Sequence, residues 1–146
     1  EASIDARLRP AFFADVPLTR ALKHGVVRGG KMIFSQTLVE GGEGVGPVRP
    51  IWGQFHVTPD ERLFVYYSQS CSGAGCEHPG TTNWLVEVTK TGHGAPVKLE
   101  VAHPLEMLFM TAKPNGGSPP SNTLEVVGRP AGMPLTINYL RVKLFQ

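Results

Sequence analysis

The chain has 146 residues, enough to bury a core of its own, and its 17 glycines and 13 prolines against only 18% charged residues predict frequent turns and no long helix. The net charge is +2, and the 14 lysines and arginines are scattered without an interleaved aromatic platform, which argues against a nucleic-acid partner. No apolar run reaches the roughly 18 residues that cross a bilayer as a helix, so no membrane partner is expected. The sequence starts at Glu1 with neither an initiator methionine nor an apolar leader. A processed product would look like this, and so would an internal cut.

The first 23 residues, with Pro10, Phe12, Phe13 and Pro17, read as an extended lead-in, with a single helical turn fitting Leu18–Lys23. Residues 24–146 read as one β domain. A strand at Gly25–Val27 meets the turn Arg28-Gly29-Gly30 and returns as the β-branched run Lys31–Val39. Residues 41–50 are rich in glycine but lack the Lys-Ser/Thr that closes a phosphate loop, and Pro47 blocks a following helix, so a plain connection is expected. Gln54–Val57 meets a Pro59-Asp60 turn and comes back as Leu63–Ser68. Further strands are predicted at Asn83–Thr89, Val97–Val101, Leu124–Val127 and Leu135–Leu144. Leu105–Thr111 reads as a strand or a helical turn, and Lys113–Asn122 as a linker or binding loop. Eight or nine short strands without βα alternation define an all-β chain, a sandwich, barrel or propeller.

Cys71 and Cys76 enclose Ser-Gly-Ala-Gly. A zinc site calls for a second ligand pair, and redox chemistry for Cys-x-x-Cys. Glu77 and His78 follow directly, so a metal site exists on paper. A disulfide closing the glycine-rich loop is the simpler reading; no metal and no cofactor are expected. Such a bond implies an oxidising compartment, hence a secreted, extracellular or periplasmic location.

The stretches from His24 to Gln36 and from His56 to Gln69 both run from histidine through a turn and a basic residue into an apolar strand ending Ser-Gln, and a looser echo starts at His103. Across residues 54–144, the phrase Thr58-Pro59-Asp60-Glu61-Arg62-Leu63-Phe64-Val65-Tyr66-Tyr67-Ser68, the following Asn83–Thr89 and Val97–Val101, and the closing Asn138–Leu144 resemble the blades of sialidase-like (BNR-repeat) β-propellers. The Asp-box Ser-x-Asp-x-Gly-x-Thr-Trp does not occur, and no catalytic arginine triad can be assigned.

The resemblance implies part of a β-propeller of about three blades; the alternative is a β-sandwich. Three blades fall short of the four needed for closure, which implies a second chain or a homo-oligomer completing the ring. It also implies a ligand pocket at the inner strands, where Arg49, Trp52 and His56 cluster in sequence. An aromatic ring stacks on a sugar face and an arginine forks onto a carboxylate, so a glycan or polysaccharide is the expected ligand. Similar propellers that act as polysaccharide lyases use histidine and tyrosine as base and acid, roles that fall here on His56 and Tyr66 or Tyr67. Against this, such residues also pack and bond within sheets, and alternation puts Tyr66 and Tyr67 on opposite faces. Asp60, Glu61, Glu87 and Glu100 read as solvated, and no serine has a nucleophile-elbow context. Three functions therefore stand: an extracellular glycan-recognising propeller portion, a lyase or hydrolase of acidic polysaccharide, and a structural sandwich subunit of a surface layer, fibre or shell.

Overall fold

The computed structural model describes residues 19–42, 44–89, 92–111 and 119–144. Ten strands follow in chain order: β1 (Thr19–Arg28), β2 (Lys31–Gly42), β3 (Val48–Val57), β4 (Leu63–Cys71), β5 (Gly80–Thr89), β6 (Gly92–His93), β7 (Val97–Leu99), β8 (Leu105–Thr111), β9 (Thr123–Pro130) and β10 (Asn138–Lys143). The described residues contain no helix, as the all-β reading expected.

β1 and β2 form a two-stranded ribbon, β3-β4-β5 with β6 and β7 a five-stranded sheet, and β10-β9-β8 a three-stranded one. Every pairing is antiparallel, and among the described residues no sheet closes. β6 and β7 lie along the same edge of β5, β6 against Val88–Thr89 and β7 against Asn83–Leu85. The middle sheet is therefore a meander of three long strands with a fourth, broken position.

The order of the layers follows from β4. Phe64 to Gln69 are all buried, a run without the alternation of a half-exposed strand. A strand apolar on both faces has to be covered on both. Val65 and Tyr67, with Val86 and Val88 of β5, pack against Leu38, Leu22 and Val39 of the ribbon. Tyr66 and Leu85, on the opposite face, pack against Leu105, Leu108, Leu124, Val126, Leu140 and Val142. Three layers thus enclose two cores. β9 and β10 alternate strictly, with Leu124, Val126, Leu140 and Val142 inward and Glu125, Arg129, Arg141 and Lys143 among the outward residues, as the outer wall of such a stack should.

A polar clamp ties the middle sheet to the third. Asn83 Nδ2 donates to the Leu105 carbonyl at 2.9 Å and to Ser68 Oγ at 2.8 Å, while Asn83 Oδ1 accepts from Leu105 N–H at 2.8 Å. Ser68 Oγ donates to the same carbonyl at 2.6 Å. Leu105 stands opposite Pro130, which has no N–H, and the ladder bond at that end runs instead from Ala131 N to Pro104 O. The Asn83 amide acts as a one-residue substitute strand for the outward edge of β8.

Several expectations shift. The sequence predicts a lead-in with a helical turn at Leu18–Lys23, yet strand begins at Thr19, because Leu22 is drawn onto the core under Leu38. Tertiary burial overrides weak local preference there. Residues 1–18 and the greater part of the Lys113–Asn122 loop lie outside the described residues. Residues 41–50 are only partly loop: β2 runs to Gly42 and β3 starts at Val48, with Gly42 bridged to Gly46. At Gly41 a Cβ would lie 1.8 Å from the Val48 carbonyl oxygen, so the strand crossing needs glycine. Pro50 fits within β3 because the ladder is irregular between Pro50 and Trp52 on an edge strand. Leu105–Thr111, open between strand and helical turn, is strand.

Replacing Asn83 by alanine strands the buried Leu105 N–H and removes one of the two side-chain donors to its carbonyl; we expect a loss of about 2–4 kcal/mol in denaturant unfolding, at little change in the slope. A loss under about 0.5 kcal/mol would show that the clamp carries no weight.

Candidate functional site

The second hairpin shapes the site. Thr58 N–H donates to the Arg62 carbonyl and Glu61 N–H to the Thr58 carbonyl, both at 3.0 Å. The wholly buried Thr58 hydroxyl donates to Asp60 Oδ1 at 2.5 Å and accepts from Arg62 N–H at 3.1 Å. This tight geometry forces Glu61 to φ 62°, the left-handed position where such turns normally carry glycine. The histidine-led phrases from His24 and His56 both prove to be hairpins, turning at Gly29–Gly30 and at Thr58–Arg62.

Beside this turn, a cleft of about 850 Å³ follows β3 and reaches β8, lined by Trp52 through Phe55, Val57 through Pro59, Glu61, Leu108 and Pro120. Trp52 pairs with Ser68 and Phe55 with Val65, so the two rings lie on opposite faces of β3. Each is 47% exposed. Phe55 is held from behind by His24, ring centroids 5.6 Å apart and edge-on, and His24 in turn meets Phe34 at 5.7 Å. Among the described residues no strand pairs with the outer edge of β3 beyond a bond from Ser121 N–H to the Val57 carbonyl.

Of the residues singled out in the sequence, Trp52 lines this cleft, whereas Arg49 and His56 do not. Arg49 is exposed near the start of β3, opposite Ser70. His56 is 3% exposed, and its Nε2 lies 2.7 Å from the Ser121 carbonyl, fastening β3 to the segment before β9. Tyr66 is wholly buried. Its hydroxyl has no partner among the described residues, and burial pushes its ionisation well above the ordinary value of 10.0. Tyr67, on the opposite face, is pushed up to about 12 by the same cause, its ring stacked on Trp84. The lyase assignment finds no support in this geometry: neither His56 nor Tyr66 presents an atom to the cleft.

Cys71 and Cys76 are joined, Cα atoms 5.9 Å apart, closing the loop between β4 and β5. Their sulfurs bond each other and are not held as thiolate ligands. Glu77 and His78 stand 3.8 Å apart beside them. Among the described residues no group of three metal-ligating side chains assembles.

Two acidic residues escaped the sequence reading. Glu61, taken as solvated, stands at the cleft rim; a glutamate where the turn chemistry asks for glycine was the available signal. Glu87, also taken as solvated, receives a two-pronged bond from Arg62, Nε to Oε1 at 2.8 Å and Nη2 to Oε2 at 2.7 Å. That bond lowers the Glu87 carboxyl's ionisation and raises that of Arg62. Comparison of the chain with protein-family models, curated protein sequences and solved structures finds no match.

Tyr66→Phe removes an orphaned hydroxyl and is expected to leave stability unchanged or raise it by up to about 1 kcal/mol in denaturant unfolding. A loss above about 1 kcal/mol would mean the hydroxyl has a partner. The folded protein keeps tyrosine protons that the unfolded chain releases near pH 10.0. Stability should therefore fall as pH rises above that value, by about 1.4 kcal/mol per pH unit for each of the two tyrosines. Tyrosinate absorbance followed alongside unfolding checks this.

Proposed function

We propose that the protein is a portion of an extracellular β-propeller that recognises glycan through the cleft along β3. The cleft carries this reading. Half-exposed Trp52 and Phe55 offer apolar faces, and Glu61 offers hydrogen-bonding groups beside them, the mixture of apolar wall and few polar groups that binding sites share. Aromatic side chains left half in water on an otherwise well-buried sheet are more readily explained by a partner than by packing.

The architecture supports the propeller part. Strands β3, β4 and β5 with the β6–β7 edge make one four-position meander, and the ribbon and the β8–β10 sheet cover its two faces in chain order. Successive blades of a propeller pack face to face in this sequence, and β3 and β8, which share the cleft, then correspond to inner strands. The ring is completed by further strands, from a second copy or another chain. The disulfide favours an oxidising, extracellular setting. The second reading, a layered sandwich serving a structural assembly, draws on the exposed apolar tip of the ribbon, where Val27, Met32 and Ile33 stand in solvent.

Titration of intrinsic tryptophan fluorescence against a broad glycan panel should give saturable binding, lowered about tenfold in Trp52→Ala. No response to any glycan, with the fold intact, overturns the recognition reading. Native mass spectrometry of unreduced protein should show a small closed oligomer; a monomer at all concentrations favours the sandwich.

A further inference from the structure

We infer that the cleft takes an uncharged, hydroxyl-bearing glycan chain at least a disaccharide long, held at two aromatic subsites, and that Glu61 excludes acidic glycans. This rests on the glycan-recognition reading and narrows it, since an arginine forked onto a carboxylate would instead point to acidic sugars.

Three observations lead there. The first is charge. Among the described residues that line the cleft, Glu61 is the one with an ionisable side chain, whereas Arg49 lies elsewhere on β3 and His56 is sealed against Ser121. A glycan carboxylate or sulfate entering here meets a like charge, and rejection by like charge is an efficient source of specificity. Glu61 is also held there at a cost, in a left-handed conformation that disfavours residues carrying a Cβ. Turn formation alone would favour glycine, so the carboxylate's place at the rim has another use.

The second is the main chain. Four consecutive residues, Trp52 to Phe55, line the cleft, so the strand's own edge forms part of its floor. An edge presents N–H and C=O groups in alternation. Hydroxyl groups both donate and accept, and suit such a row as an anion does not.

The third is spacing. Trp52 and Phe55 are three residues apart on a strand rising about 3.3 Å per residue, which separates them by about 10 Å along β3. A single sugar ring cannot cover both. They flank the edge from opposite faces, and the His24 contact fixes Phe55 before any ligand arrives. His24 is in this sense a positioning residue.

The test is calorimetric titration with neutral hexose and pentose oligosaccharides of graded length, alongside their uronic-acid counterparts. Neutral chains should bind, with affinity rising steeply from the monosaccharide until both rings are covered. Trp52→Ala and Phe55→Leu, the latter keeping the packing on His24, should each weaken binding up to about tenfold and act additively. Glu61→Gln should let uronates bind and so narrow the gap between them and their neutral counterparts; raising salt should help uronates in the parent protein by screening the carboxylate.

Binding confined to uronates, or unchanged uronate binding in Glu61→Gln, overturns this inference while the glycan reading stands. Binding of an extended peptide along the β3 edge, with silence from every glycan, overturns both.

Discussion

A strand that is apolar on both faces cannot be satisfied by one neighbouring sheet. β4 is that strand, and its demand for two covers sets the whole arrangement. The ribbon supplies one cover through Leu22, Leu38 and Val39, and the β8–β10 sheet supplies the other through Leu105, Leu124 and Val126. Because Tyr66 and Tyr67 point to opposite layers, each core contains one large aromatic from the same strand. Neither core could be repacked without moving β4, and a shift of its register by one residue would exchange the two sets.

The second cover is also fixed by direction-specific bonds. Burial alone would let the third sheet slide over the apolar face of β4 and β5. The Asn83–Leu105–Ser68 cluster prevents this by pinning one backbone residue of β8 to two side chains of the middle sheet. His56 and Ser121 add a second tie near the other end of β3. The cleft lies between these regions, on β3 and β8, so its walls are held from two directions. A binding surface gains from such support, since less ordering remains to be done when a ligand arrives.

Much of the strand pattern was legible in the sequence. The turn residues at Arg28-Gly29-Gly30 and Thr58-Pro59-Asp60 mark both hairpins, and alternation in Asn138–Leu144 marks an outer wall. The early strand was not legible, because nothing local distinguishes Thr19–Lys23 from an irregular segment; contact with Leu38 decides it. The candidate site was half legible. Trp52 could be picked out as an aromatic near a turn, but Arg49 and His56 were grouped with it by closeness in sequence. On a strand such closeness says little, since faces alternate and an irregularity between Pro50 and Trp52 changes the phase. Phe55 was passed over because its neighbour His56 looked more chemical. Glu61 illustrates a more general point: a residue that conflicts with its local turn geometry is a better pointer to a site than one that merely carries reactive atoms.

The crossing at Gly41 bears on how this sequence can change. A Cβ there would meet the Val48 carbonyl oxygen, a backbone atom that no rotamer change can move. Drift at this codon is closed to every other amino acid unless the two strands part first. At Gly44 and Gly46, in the connection that follows, an added Cβ would meet no neighbouring atom, and only the left-handed backbone at Gly44 still favours glycine. Variation between relatives should therefore accumulate in the connection and stop abruptly at its first anchor. Grafting the ribbon onto a different middle sheet would have to carry Gly41 and the first residues of β3 together as one inherited unit.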